Sequence, residues 1–260
     1  MAKKVYSKQY APNKHLVQDY IYEWLGERFY GEEVIILPGM HPEKAVERVT
    51  MFIKGKPVIS AHEIDYKTAD YIRENSYEHI QEDILQNGKL GTFNVYWGNV
   101  SNAQANAAFQ DLDFCSTWVK SRYRAKNDCH YSTDPIEIIK SRIRKQKQIP
   151  NKWKAMIGTI TCRSGIGKDH SMRCLQSICN EIGWTIKRVD YLLFPTLGYS
   201  RGRRMRGSGC LHSNGRIYYA YEHTTRIEPI ENTESVKEAE LRFFTYTDTQ
   251  PMLVFALAFR

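Results

Sequence analysis

The feature that most limits what this chain can fold into is an alternation of short apolar runs, each closed by turn residues, with longer amphipathic stretches. Residues 16–29 place Leu16, Tyr20 and Trp24, and Ile21 and Leu25, at three- and four-residue steps, the spacing of an amphipathic helix. Residues 33–37 (EVIIL) form a continuous apolar run stopped by Pro38 and Gly39, the form of a strand buried on both faces of a parallel sheet. A helix is expected from about Pro42, where proline fits the first turn and Glu43 meets the positive end of the helix dipole. The pattern recurs in residues 57–60, which lead through Ala61, His62, Glu63, Ile64 and Asp65 to a helix from 67 to about 85, stopped at Asn87-Gly88. Residues 92–97 read as a third strand ending in Gly98-Asn99, residues 105–108 as a short helix, and 109–114 as a fourth strand. A basic helix over 136–148 opens at Asp134-Pro135. A fifth strand over 155–162, a helix over 171–183 and a sixth strand over 185–194 follow.

Beyond Pro195 the alternation stops. A Gly- and Arg-rich loop (LGYSRGRRMRGSG) precedes three β-rich segments, 216–221, 241–246 and 252–259. Either 216–221 or 252–259 could take a seventh strand position. The expectation is an α/β fold: a doubly wound, mainly parallel seven-stranded sheet with an antiparallel C-terminal edge and helices on both faces. Residues 1–30 are read as an N-terminal helical extension, and 31–260 as a single domain with a basic insertion loop at about 196–215.

Charge is unevenly spread along the 260 residues, whose net charge is +8. Residues 1–119 carry 12 basic and 16 acidic side chains, whereas 120–206 carry 20 basic and 6 acidic. A block at +14 attracts polyanions through phosphate contacts and counterion release. Within it, Arg201, Arg203, Arg204 and Arg206 lie among glycines, with Tyr199 to stack on bases and His212 beyond. Lys140, Arg142, Arg144, Lys145 and Lys147 extend the charge along a helix. The partner expected is nucleic acid, bound through 120–206. With no run of eighteen apolar residues and no signal-like N-terminus, no membrane association is expected and the cytoplasm is the expected location, that of a host cell if the protein is viral. Six cysteines without a CxxC pair point to reduced thiols and no structural zinc.

In an open α/β sheet, ligands bind beyond the carboxyl ends of the strands, where strand order reverses. The strand ends are Leu37-Pro38-Gly39, Glu63-Ile64-Asp65, Trp97-Gly98-Asn99, Asp111-Leu112-Asp113-Phe114-Cys115 and Thr161-Cys162-Arg163. This layout, over roughly residues 14–260, resembles the class I S-adenosylmethionine-dependent methyltransferases, Rossmann-like enzymes of six βα units and a terminal antiparallel hairpin. The resemblance implies S-adenosyl-L-methionine as cofactor. Glu63 or Asp65 would bind its ribose hydroxyls, Leu37, Pro38 and Gly39 would form the first loop, and Trp97, Gly98 and Asn99 would contact the adenine. FQDLDFCSTW matches the family's fourth-strand acidic-aromatic motif, which makes Asp111, Asp113, Phe114 and Cys115 candidate catalytic residues. DLDFC is similar to the aspartate-rich variants of divergent phage and viral members. Cys115 and Cys162 also resemble the cysteine pair of 5-methylcytosine RNA methyltransferases, where a thiolate attacks the pyrimidine ring so that the adjacent carbon can accept a methyl group.

The function expected is therefore methyl transfer to DNA or RNA. A second reading is a catalytically inactive methyltransferase-like subunit that binds nucleic acid within a larger assembly, because the first loop offers Gly39 where the family has two or three glycines. A third is a metal-dependent nuclease built on Asp111, Asp113 and Glu63, which lacks a lysine at fixed spacing.

Overall fold

The structure is a computed structural model that describes residues 12–39, 42–75, 80, 88–103, 107–114, 134–161, 168–189, 210–213, 216–223, 225–247 and 251–260. Its helices are α1 (Pro12–Gly26), α2 (Glu43–Phe52), α3 (Tyr66–Asn75), α4 (Pro135–Lys147) and α5 (Lys168–Asn180). The strands are β1 (Glu33–Ile36), β2 (Val58–Glu63), β3 (Thr92–Trp97), β4 (Phe109–Asp113), β5 (Lys154–Thr161), β6 (Trp184–Val189), β7 (Cys210–Ser213), β8 (Arg216–His223), β9 (Thr225–Pro229), β10 (Ala239–Thr247) and β11 (Pro251–Phe259).

Among the described residues, nine strands form one sheet in the order β3-β2-β1-β4-β5-β11-β10-β8-β7, and β6 pairs with β9 in a separate ribbon. The first five pair in parallel. From β5 onward the pairing is antiparallel, with β11 lying directly against β5 and β10 against β11. The expected doubly wound, helix-flanked sheet with an antiparallel C-terminal edge is present, with nine strands where seven were expected. Three readings of the sequence need correction. The segment read as a sixth strand of the main sheet forms β6 in the ribbon, because Trp184 and Ile186 pack on the outside of the core together with Ile227. Of the short helix expected at 105–108, Ala107 and Ala108 are not helical and 105–106 lie outside the described residues, while a 3-10 turn stands at Val100–Asn102, where the Asn99 side chain caps the Ser101 amide. The third concerns the charged face of α4, taken up below.

Strand alternation divides the core into two layers. Val34 and Ile36 of β1, Ile59 and Ala61 of β2 and Phe109 of β4 meet α1 and α2 on one face. Ile35, Leu112, Met156 and Phe255 meet α4 and α5 on the other. Helix α1 is part of the first layer: Val17, Ile21 and Leu25, four residues apart, are fully buried with Tyr22 beside them. Its outer edge is tied to the antiparallel half by alternating cations and rings. Arg242 lies 4.5 Å from the Trp24 ring, Arg28 is 5.2 Å from Trp24 and 4.5 Å from Trp153, and Arg260 is 5.1 Å from Trp153. Arg28 also reaches both carboxylate oxygens of Glu240, at 2.8 and 2.9 Å.

Helix α4 starts where the sequence signals it: Asp134 caps the Ile136 amide and Pro135 occupies the first turn. Its cations do not form the free charged surface expected of Lys140 to Lys147. Arg142 is fully buried and donates to Gln110 Oε1 and to the Ala103 carbonyl, both at 2.8 Å. Arg144 makes a two-pronged pair with Glu181, which Lys140 also approaches at 3.3 Å. Lys145 donates to the carbonyls of Ser101 and Ala103, and Lys147 to that of Glu181. Charge that reads as surface potential in the sequence is largely consumed in holding α4 to its neighbours. No helix among the described residues is long and apolar enough to cross a membrane.

Candidate functional site

Strand order reverses at β1, which pairs with β2 on one side and with β4 on the other, while the chain passes through β3 before returning to β4. The carboxyl ends of β1 and β4 therefore border the crevice where a doubly wound sheet holds its ligands. A small pocket of about 70 Å³ lies there, lined by Leu37 and Pro38 after β1, Asp111 and Asp113 of β4, and residues of α1 and α2 that include Lys14, Gln18 and Arg48.

Two-residue periodicity puts Phe109, Asp111 and Asp113 on the α1 face of β4 and Leu112 on the opposite face. Phe114 packs partly against the second core layer with Leu112, so the acidic and aromatic members of the DLDF string separate across the sheet. Asp111 is 5 % exposed, and Tyr22 of α1 donates to its Oδ2 at 3.0 Å. Asp113 Oδ2 pairs with Lys14 Nζ. The second oxygen of each carboxylate, Oδ1, is buried without a hydrogen-bond partner among the described residues. Burial, helped by the neighbouring Asp113, lifts the Asp111 carboxyl to about 6, and the Tyr22 hydrogen bond only partly opposes this. Tyr22 itself is pushed well above the usual phenol range by its own burial and by Asp111. His15, packed beside Arg48 with 3.3 Å between Nδ1 and Nη2, is lowered to about 4 by burial and by that cation.

Those of the remaining predicted residues that are described lie along the same carboxyl edge. Glu63 ends β2, and its Oε1 accepts from the Ile64 amide at 3.0 Å and the Asp65 amide at 3.4 Å. Asp65 opens α3: Oδ1 accepts from the Lys67 amide and Oδ2 from the Thr68 hydroxyl. Trp97 is 65 % exposed; its indole donates to the Ile64 carbonyl at 3.3 Å and its ring meets Tyr66 at 6.3 Å. Asn99 is buried and spends its side-chain oxygen on the Ser101 amide. Gly39 and Gly98 hold φ of +60° and +141°, values unfavourable for other residues, and a Cβ on either would meet nothing within 4 Å. Each thus leaves open space at a strand end. Cys115, Cys162, Arg201, Arg203, Arg204 and Arg206 lie outside the described residues.

The sequence reading missed Lys14, Gln18 and Tyr22. The signal was present, since these residues recur every four positions on α1, one turn apart along a single face.

No family model matches the chain, and no curated protein is similar to it in sequence. Solved structures do match. Among them are structures of S-adenosylmethionine-dependent methyltransferases. Magnesium protoporphyrin IX methyltransferase from Synechocystis PCC 6803, with bound S-adenosylmethionine, matches at TM-score 0.45 and 10 % identity, covering all of this chain and 86 % of that one. A proposed rRNA methylase from Clostridium thermocellum matches at TM-score 0.42 and 8 % identity, covering 94 % and 97 %. A proposed sarcosine dimethylglycine methyltransferase from Galdieria sulphuraria matches at TM-score 0.40 and 13 % identity over 68 % of this chain, which spans 61 % of that protein's length.

Proposed function

We propose that the chain is a cytoplasmic S-adenosylmethionine-dependent methyltransferase acting on nucleic acid, DNA or RNA. The observation that carries this reading is the convergence of Asp111, Asp113, Glu63 and the open space beside Gly39 and Gly98 on the carboxyl edge, around the switch point between β1 and β4. These residues fit the cofactor chemically. Glu63 would accept from its ribose hydroxyls, and the two glycines leave room for its backbone-close parts. When bound, the cofactor supplies an electrophilic methyl group on sulfur.

The chain's own contribution is at β4. Asp111 and Asp113 line the pocket, and each carries a buried Oδ1 without a hydrogen-bond partner among the described residues, an acceptor that suits a nucleophile carrying an N–H or O–H. A nucleophile that loses a proton on accepting a methyl group would find Asp111 Oδ1 there to hold that proton, with a carboxyl at about 6 near the optimum for a base at neutral pH. Tyr22 fixes the other oxygen, so Oδ1 keeps its orientation.

One observation favours the second reading, an inactive nucleic-acid-binding relative. Lys14 and Tyr22 occupy one oxygen of each aspartate, and the pocket of about 70 Å³ is far below the roughly 300–1,000 Å³ of small-molecule sites.

Calorimetry with S-adenosylmethionine and S-adenosylhomocysteine separates the two. The enzyme reading expects heat with both, reduced in Glu63→Ala; absence of heat with either overturns it. Tritium transfer to DNA and RNA should then fail in Asp111→Ala, and full activity in Cys162→Ala would exclude carbon methylation through that thiol.

A further inference from the structure

We infer that a groove between α5 and β6 is where a nucleic-acid strand's phosphate backbone lies. The inference rests on the nucleic-acid part of the proposed function and assigns that partner a surface.

The groove is lined by Met172, Arg173 and Gln176 of α5 and by Ile186, Lys187 and Arg188 of β6. Three consecutive residues of a regular strand cannot all face one side, because side chains alternate. Here the register between β6 and β9 shifts between Ile186 and Arg188: Ile186 pairs with Ile227 and Arg188 with Arg226, leaving Lys187 as an extra residue. Such a bulge re-aims side chains. It brings Lys187 and Arg188 to the groove with Ile186, and both cations are exposed.

The walls are held together. Gln176 Oε1 accepts from the Ile186 amide at 2.9 Å and the Thr185 hydroxyl at 3.3 Å, while its Nε2 donates to Asn180. The ribbon is thereby pinned to the helix, and the groove needs no rearrangement to present its charge.

The charge is also available. In α4 the basic residues are engaged with Glu181, with Gln110 or with carbonyls, as described above. Arg173 and Lys187 are exposed and make no ion pair among the described residues. Cations over a floor of Met172 and Ile186 match a phosphate backbone, with apolar contact for sugar or base. Helix α5 begins seven residues after Thr161, the last residue of β5 at the carboxyl edge, so its first turns, which carry Met172 and Arg173, lie toward the edge that holds Asp111. A strand seated in the groove would therefore approach the candidate site from the α5 side.

The test is fluorescence anisotropy with labelled single-stranded RNA and duplex DNA of mixed sequence, titrated with salt, on the full chain. Wild type should bind with an affinity that falls steeply with salt. Arg173→Gln/Lys187→Gln should lose roughly tenfold in affinity at about 0.1 M salt and lower the salt slope by about 1.4–1.8, the amount for two phosphate contacts. Lys140→Ala/Arg144→Ala should change neither. A native circular dichroism spectrum for each variant separates these effects from misfolding, and Arg173→Ala and Lys187→Ala singly should each give about half the change in slope. Unchanged affinity and slope in the double variant overturn the inference, as does a wild type that prefers phosphatidylserine vesicles to nucleic acid. Heat with S-adenosylmethionine reads the methyltransferase proposal separately. Groove-dependent nucleic-acid binding without that heat supports the inference and removes the enzyme; the heat with groove-independent binding does the reverse.

Discussion

Replacing Asp111 with asparagine should make the protein more stable near neutral pH, and the size of the gain should itself depend on pH. Burial lifts this carboxyl from 3.8 to about 6 in the folded chain. The folded state therefore binds the proton more tightly than the unfolded state does. Below pH 3.8 both states are protonated and ionisation carries no penalty. The penalty grows as pH rises through 6 and is complete above it. A displacement of about two units corresponds to about 3 kcal/mol, since each unit is worth about 1.4 kcal/mol. Asparagine keeps the shape and an acceptor for the Tyr22 hydroxyl but cannot ionise. Urea unfolding of both proteins between pH 4 and pH 8 checks this. The stability of Asp111→Asn minus that of wild type should rise by about 2.5 kcal/mol across the range, since part of the penalty is already present at pH 4, equivalent to roughly 5–10 °C in Tm. Taking the difference removes the groups that titrate alike in both proteins. A difference that stays flat, or that grows toward acid, would refute the claim that Asp111 is a desolvated carboxyl. The same variant should lose methyl transfer while gaining stability, the trade expected of a buried group kept for chemistry.

Three further outcomes follow from the packing. His62 is buried, stacks on Tyr96 at 5.1 Å and is lowered to about 4 by burial and by Arg142, so its contribution is present above pH 6.5 and is lost as pH falls toward 4; His62→Gln should flatten that acid limb in urea unfolding. Gly158 lies under Phe255, and an added Cβ would sit 2.8 Å from its Cζ; Gly158→Ala should cost about 1–3 kcal/mol in urea unfolding, with part of the loss recovered in Gly158→Ala/Phe255→Leu. Gln146 is buried and its Nε2 donates to the carbonyls of Ala107, Ala108 and Ala155 at 3.0–3.2 Å; Gln146→Leu should cost about 1–2 kcal/mol by removing these bonds, measured the same way, the loss being limited because the Ala107 carbonyl keeps Gln110 Nε2 and the Ala108 carbonyl keeps the Ala155 amide.

Much of the parallel half was legible because buried parallel strands are continuous apolar runs and their helices carry explicit signals. EVIIL became β1, and the Asp134-Pro135 pair opened α4 as read. The ribbon was not legible for the opposite reason. Trp184 and Ile186 have the pattern of any half-buried strand, and nothing local says whether the partner is the main sheet or β9. At the site, the aspartates could be placed at the end of β4 by counting. Their partners Tyr22 and Lys14 lie 89 and 99 residues away and enter only through the packing of α1. Counting charge failed on α4 because a tally cannot see that Arg142 is buried against Gln110.

The arginine and tryptophan contacts along α1 have a consequence for the order in which the protein matures. Helix α1 is made first, yet its Trp24 and Arg28 hold to Arg242 and Glu240 of β10, more than two hundred residues later. Contacts of such long sequence separation close late in folding. On a ribosome the inner face of α1 can pack on β1, β2 and β4, with Tyr22 against Phe109 and Asp111, as soon as those strands form, while its outer edge at Trp24 and Arg28 stays unpinned until β10 has emerged. Docking of β10 then steadies a helix whose inner face already brings Tyr22 to Asp111 and Lys14 to Asp113, so the late antiparallel strands rigidify the pocket and do not create it.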